Sequence, residues 1–584
     1  MAIQVEEQGI VPIIEEELQV FDASAKAFRT GEKDPIEFQQ YRLREGVYGQ
    51  RQADAQMIRV KLPGGIVSAR QLEVLGEVAR KYTPLDRGHI TTRECIQYHH
   101  VPLEDSVLLK FSLARVGVTS REACGNTVRN VISCPLAGVC RDELFDVTPY
   151  MTAYVRYFIR KPFTQIMPRK FKSSFSPCAS DCANAPYHDI GFVANVKDGK
   201  QGFSIYVGGG SSIMPRAAQV LYDFVSVDEY LRVSEAVLRI FNKSDELRKN
   251  RMMARIKVLV DRIGIDEFRK LVETELQEPW AKDAIDPEPY MIKNYEKTPN
   301  GPAPAATEPE DTSAEYLHWK ETNAVAQRQD GYSTVYLKVP QGDLSSTQFE
   351  DLARLSRAYG NGFVRLDFEQ DLVLRWVANS KLTPLWKELK AIDLAEAGVH
   401  EITDTVSCPG TDSCKLGITA SMGANRAIRD RLVELDIVDP LVRQMHVKTS
   451  GCPNGCGRHH LGNIGFQGAA VKGADGHQVP AYEVYIGGQY DKSGEFRYAK
   501  RVSTKLPSKR VPDATERIIK YYQAERQEGE VFNAFVDRVG HASFEKLLAD
   551  LRDVSTPEEN FSLYEDWERQ GFYVLERGEG ECAV

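Results

Sequence analysis

The chain repeats itself. Ile58-Arg-Val-Lys-Leu-Pro-Gly-Gly-Ile-Val-Ser68 returns in the second half as Val335-Tyr-Leu-Lys-Val-Pro-Gln-Gly-Asp-Leu-Ser345, and Ile190-Gly-Phe192 returns at nearly the same offset as Ile464-Gly-Phe466. A duplication on this scale constrains the fold strongly, because two copies of one plan must cover each other's apolar faces. In both copies of the first segment a β-rich run ends at a Pro/Gly turn, and a serine stands where an N-cap would open a helix. Leu72, Leu75 and Val78 match Phe349, Leu352 and Leu355 at helical spacing, so these are predicted core positions. The expected class is α+β, built from strand-helix-strand units with non-local pairing and related by a pseudo-twofold axis. The cleft between the halves is then the natural cofactor site.

At 584 residues the chain needs several cores. Between Glu296 and Ser313 lie four prolines and no large apolar residue, which predicts a linker over 296–313. The resulting division is an N-terminal extension over 1–50, a first-copy strand-helix unit over 51–120 and a first-copy site domain over 121–295. After the linker come the second-copy units over 314–395 and 396–584.

Four of the eleven cysteines stand in Cys408-Pro-Gly-Thr-Asp-Ser-Cys414 and Cys452-Pro-Asn-Gly-Cys456, with 37 residues between the two segments. Thiolates on two tight Pro/Gly loops can surround a cubane cluster, each iron taking one sulfur while backbone N–H groups bond the sulfides. A structural zinc site is the alternative. Zinc sites space each cysteine pair by two to four residues, and the five between Cys408 and Cys414 are too many. The acidic N-terminus lacks a secretory pattern, which predicts a cytoplasmic chain whose thiols stay reduced. A net charge of −9 and the absence of a long apolar run argue against nucleic acid or a membrane as partner.

These cysteine loops resemble the cluster motif of siroheme-dependent sulfite and nitrite reductases. The resemblance extends to Met57-Ile-Arg-Val-Lys-Leu-Pro-Gly-Gly65, Ile90-Thr-Thr-Arg93, Val128-Arg-Asn-Val131 and Pro168-Arg-Lys-Phe-Lys172, and runs in order from about Gly46 to Gly468. It implies a duplicated fold of ferredoxin-like half-domains and siroheme/[4Fe-4S] domains. It further implies that Cys408, Cys414, Cys452 and Cys456 ligate a [4Fe-4S] cluster, with Cys456 bridging to the siroheme iron, and that a small oxyanion is reduced by six electrons.

The same resemblance sets Arg59, Arg129, Lys170 and Lys172 around the open face of the siroheme. Arg93, Gln97, His99, Asn454 and Arg458 would contact the macrocycle or its carboxylates. Such cations are what a buried site for a polycarboxylate and an oxyanion requires. His89 departs from the arginine often found at its position, and His100, His459 and His460 are given no role. Lys170-Phe-Lys172 resembles the Lys-x-Lys of sulfite reductases rather than the Lys-Trp-Asn of nitrite reductases, so sulfite is favoured and nitrite is the alternative. A non-catalytic electron carrier is disfavoured by the cationic set. Tyr48 and Cys124 match positions that are covalently joined in some sulfite-reducing relatives; an ordinary tyrosine and a buried thiol are the other reading. No flavin or nicotinamide fingerprint is present, so a ferredoxin or flavoprotein subunit must supply electrons.

At the shift that carries Ile190 onto Ile464, Cys134, Cys140, Cys178 and Cys182 fall on Cys408, Cys414, Cys452 and Cys456. With cysteine at about one residue in fifty, chance does not account for four coincidences. Two readings follow: a second [4Fe-4S] cluster, or thiols kept at a vestigial site.

Overall fold

The computed structural model describes residues 4–296, 298–299, 303–305, 309–490, 495–578 and 581. Within the segment read as a linker, residues 297, 300–302 and 306–308 lie outside this set, as do residues 1–3 and Cys582.

Four five-stranded sheets carry the chain, two from each copy. The first runs in the order Val47–Gly49, Ala55–Val60, Cys95–Pro102, Arg87–Thr91 and Asp343–Ser345. Its counterpart runs Ala324–Ala326, Tyr332–Leu337, Leu372–Ala378, Phe363–Leu366 and Ile66–Ser68. The last strand of each sheet comes from the other half of the chain. Ser345 lies opposite Arg87 and Ser68 opposite Phe363, both pairs being antiparallel. This reciprocal exchange locks the copies together and covers one edge of each sheet.

The duplication holds in register. Ala55–Val60, Ile66–Ser68 and the helix Ala69–Tyr82 recur at one constant offset as Tyr332–Leu337, Asp343–Ser345 and Ser346–Tyr359. Both predicted serine caps form, and each completes a capping box, Ser68 with Gln71 and Ser345 with Gln348. The two helices pack closely through Gly76, where a Cβ would stand 2.7 Å from the Ser346 carbonyl oxygen. The six predicted core residues are fully buried in one cluster that spans both copies.

The other two sheets each combine parallel and antiparallel pairing. Ile132–Ser133, Ser173–Ser176 and Ile190–Lys197 run parallel, as do Val406–Ser407, Val447–Ser450 and Ile464–Lys472, each starting at the equivalent position of the second copy. The sequence boundaries shift in two places. Val47–Gly49 is already an edge strand of the first sheet, so that sheet begins inside the segment read as an extension. Glu296, read as the start of a linker, is buried between Arg365 and Arg375, with Arg375 Nη2 at 3.0 Å. Local composition could not reveal partners so far away in the chain.

Candidate functional site

Parallel pairing brings the ends of Val406–Ser407 and Val447–Ser450 to the same edge, and each strand leads straight into a cysteine loop. Cys408 follows the first strand directly, and Cys452 follows the second after Gly451, whose N–H donates to Cys408 Sγ at 3.3 Å. No side chain fits at Gly451, where a Cβ would lie 2.7 Å from the Thr419 carbonyl oxygen and 2.8 Å from Gly410 Cα. Backbone N–H groups of Gly410, Leu416 and Asn454 bond the sulfurs of Cys408, Cys414 and Cys452. Cys452 is buried, Cys408 and Cys414 are half-buried and Cys456 is exposed. Burial, then the charge of Cys456, pushes Cys414 up to about 12 and Cys408 and Cys452 upward as well. Crowded thiols of this kind ionise together only around a cation, which suits an iron cluster.

The loops open onto a cleft of about 220 Å³. Arg59, Arg93, Arg129, Lys170, Lys172 and Arg458 all line it, together with Tyr48, Gln97, His99 and Asn454. Every site residue expected from sequence in the second-copy loops and the cationic set is therefore brought together, and Cys124 lies just behind, its Sγ 3.1 Å from Arg59 Nη1.

Several donors of the residues in this wall are buried and without a partner among the described residues. Arg93 gives Nη2 to the Asn130 carbonyl oxygen at 2.5 Å, while its buried Nε and Nη1 have no partner among the described residues. Arg458 gives Nη2 to the Thr92 carbonyl oxygen at 2.6 Å, lies over the Tyr187 and Phe368 rings, and likewise leaves Nε and Nη1 unsatisfied. Such orphaned donors cost roughly 1–3 kcal/mol each. An anionic ligand offsets that cost, so the wall fits a polycarboxylate. Burial lowers Arg93 to about 10, and His99, with an unpartnered Nδ1, is pushed well below its usual value by burial, then by His89. With its amide oxygen turned towards Arg59, Gln97 accepts from Nη2 at 2.6 Å and Nε at 2.9 Å and donates to His99 Nε2.

Arg129 is fixed by bonds from Nε to the Gly125 carbonyl oxygen at 2.8 Å and from Nη1 to that of Ala123 at 3.2 Å. Lys172 is pushed well down by burial, then by Arg93, Lys170 and Arg255. Sequence reasoning missed Thr92, whose hydroxyl donates to the Cys456 carbonyl oxygen at 2.8 Å. It also missed Asn130, which holds the Arg93 turn, and Tyr187, whose ring lies beneath Arg458. Thr92 and Asn130 stand inside quoted motifs, so proximity to Arg93 and Arg129 was the available signal. His89, left off the site, is buried at its edge, with Nδ1 2.9 Å from the exchanged strand's Asp343. His459 and His460 pack against each other and Tyr485.

A duplicated α+β scaffold with a four-thiol centre and a cationic cleft defines a redox enzyme acting on a small anion. The chain belongs to the nitrite and sulfite reductase family. The family model "Nitrite and sulphite reductase 4Fe-4S domain" matches residues 124–280 and 398–553, and "Nitrite/Sulfite reductase ferredoxin-like half domain" matches 48–110 and 325–392. The chain is 30% identical to the "Sulfite reductase [ferredoxin]" of Mycobacterium tuberculosis (strain ATCC 25618 / H37Rv) over 491 residues, 82% of each chain. It is also 30% identical to the "Ferredoxin--nitrite reductase" of Synechococcus elongatus over 444 residues, 74% of this chain and 80% of that one. The structure of the Mycobacterium tuberculosis NirA protein superposes with a TM-score of 0.74 at 26% identity, covering 92% of this chain and 98% of the other. The protein is thus an oxidoreductase of the sulfite/nitrite reductase family with an iron-sulfur domain, and its fold is the duplicated one expected. Among the described residues no helix is long and apolar enough to cross a membrane.

Proposed function

We propose that this chain is a cytoplasmic siroheme and [4Fe-4S] reductase that carries sulfite to sulfide with six electrons. The observation that carries the reading is the set of unsatisfied buried donors on Arg93 and Arg458, in a cleft that opens onto Cys456. Cys408, Cys414, Cys452 and Cys456 would hold the cluster, and Arg93, Arg458, Gln97, His99 and Asn454 would hold the siroheme. Together these groups, when bound, supply stored electrons at a metal that can bind an oxyanion.

The protein's own part is charge and protons. Arg59 and Arg129 can fork onto two oxyanion oxygens, and their second bonds to Gln97 and to backbone carbonyls fix the planes they present. Three oxygens must leave sulfite as water, so protons have to reach them inside the cleft. Lys170 and Lys172 suit that task, because burial lowers the cost of proton release from Lys172. The external donor is a ferredoxin or a flavoprotein subunit; the ferredoxin-dependent relatives favour the former.

Nitrite reduction on the same residues is the second reading, favoured by the equally similar nitrite reductase. Purified holoprotein with reduced methyl viologen and each anion tests both. A higher kcat/KM for sulfite supports the proposal, a higher one for nitrite replaces it, and absence of siroheme from reconstituted protein removes both.

A further inference from the structure

The first copy of the duplication carries its own cysteine centre. Cys134 directly follows Ile132–Ser133, and Cys178 follows Ser173–Ser176 after one residue, the positions held by Cys408 and Cys452 on the equivalent parallel strands. Folding brings the four thiols together: those of Cys134 and Cys182 hydrogen-bond, as do those of Cys140 and Cys178, and no disulfide joins them. The backbone bonding is duplicated too. The N–H groups of Leu136 and Asp142 bond the sulfurs of Cys134 and Cys140, each two residues on, as those of Gly410 and Leu416 do for Cys408 and Cys414.

Around this centre the cationic cleft has been replaced. At the positions equivalent to Arg59, Arg93, Arg129, Lys170 and Lys172 stand Tyr336, Gln370, Thr403, Gln444 and His446. Tyr336 and Trp376 are buried, and the cysteine loop packs on them through Leu136 and Val139. None of these five positions carries an arginine or lysine, so the cations that the second-copy cleft offers a polycarboxylate have no counterparts here. Arg365 and Arg375 come close instead, donating to the carbonyl oxygens of Cys134, at 3.3 Å, and Ala137, at 2.5 Å, and are faced by the carboxylates of Glu296, Asp146 and Glu143.

We propose that Cys134, Cys140, Cys178 and Cys182 ligate a second [4Fe-4S] cluster, one without a siroheme beside it. Zinc is the competing metal. Zinc sites space each cysteine pair by two to four residues, and the five between Cys134 and Cys140 are too many, as they are between Cys408 and Cys414. Thiols at a merely vestigial site would have no reason to retain the N–H to sulfur bonds. Such a cluster takes one electron at a time from the external iron-sulfur or flavin donor and returns it unchanged in number, so it adds a storage site and no new chemistry.

The test is metal analysis of purified holoprotein, with siroheme iron counted separately by its visible band. About eight cluster irons and eight labile sulfides per chain are expected. The double variant Cys140→Ser with Cys178→Ser should lose half of each while retaining its siroheme band and methyl viologen activity. About four cluster irons in the unaltered protein, or one equivalent of zinc, would overturn the proposal even if the variant failed to fold. Loss of all cluster iron only in Cys452→Ser, with none lost in the double variant, would overturn it as well. Each of these results leaves the sulfite reading standing, since that reading rests on the second-copy cysteines.

Discussion

Asp189 holds Lys172 in place: its Oδ2 accepts the Lys172 backbone N–H at 2.8 Å, while the same carboxylate takes Arg255 through Nε at 2.9 Å and Nη2 at 2.7 Å. Asp189 is fully buried and begins the turn into Ile190–Lys197, so a rigid strand sets where the lysine loop sits. Asp189→Asn keeps one acceptor but leaves Arg255 without its counter-charge. We expect at least a tenfold fall in kcat/KM for the oxyanion with siroheme and iron per chain unchanged, because a small displacement of a proton donor costs that much. A lowered Tm with unaltered kinetics would reduce Asp189 to a stabilising residue.

On the proposed sulfite reading, Lys172 is the residue expected to set the substrate preference. It lies half-buried beside Arg93, Lys170 and Arg255, so its charge is only partly screened. Lys172→Asn should lower kcat/KM for sulfite more than for nitrite, by about 1–3 kcal/mol, or roughly five- to 150-fold. Equal losses for the two anions, measured with the same reduced dye, would show that Lys172 does not discriminate.

What could be read from sequence was whatever is local or strictly spaced. The two serine caps depend on residues three apart, and the two sets of four cysteines depend on a fixed shift, so both were legible. The exchange of Ile66–Ser68 and Asp343–Ser345 was not, because each is a three-residue strand whose partner lies in the other copy. Tyr187 was equally hidden. It sits in the short turn Ala185–Tyr187, where no period marks a side chain that ends beneath Arg458. Glu296 shows the opposite error, a polar residue beside prolines that composition assigns to solvent and two distant arginines draw inside.

Tyr48 and Arg59 line the same cleft, and Cys124 touches Arg59. Tyr48 pairs with Met57 at the edge of the first sheet and lines the cleft, and Cys124 Sγ lies 3.1 Å from Arg59 Nη1. Close approach of the two segments is enforced at Gly46, where a Cβ would stand 2.2 Å from the Ser120 carbonyl oxygen. We expect a thioether bond between Cys124 Sγ and a Tyr48 ring carbon, the two protons and two electrons released passing to an external two-electron oxidant such as dioxygen. Intact-mass measurement of denatured, cofactor-free protein should then show a loss of two hydrogens that Cys124→Ala abolishes; a mass equal to the sequence mass in both proteins would leave two ordinary side chains.

Acid sensitivity should trace to Glu369 and Lys448. Lys448 lies on Val447–Ser450, the strand that delivers Cys452, and Glu369 lies in the turn between Phe363–Leu366 and Leu372–Ala378; the two side chains form a buried ion pair. Burial pushes the Glu369 carboxyl up, but Lys448 and then His446 outweigh it and bring the group down to about 2. Because this lies below the unfolded value of 4.5, the pair's contribution is complete above that pH and is lost as pH falls through 4.5 towards 2. Glu369→Gln leaves the lysine charge buried and alone, at a cost of about 3–5 kcal/mol at neutral pH. Its Tm should therefore be lower at pH 7 and should lose less than that of the unaltered protein on acidification. Adding Lys448→Met should recover much of the stability, since an apolar pair needs no counter-charge, and a double-mutant cycle separates the pair from its surroundings. Equal Tm values for Glu369→Gln and the unaltered protein at pH 7 would show that the ion pair contributes nothing to the strand beneath the cysteine loops.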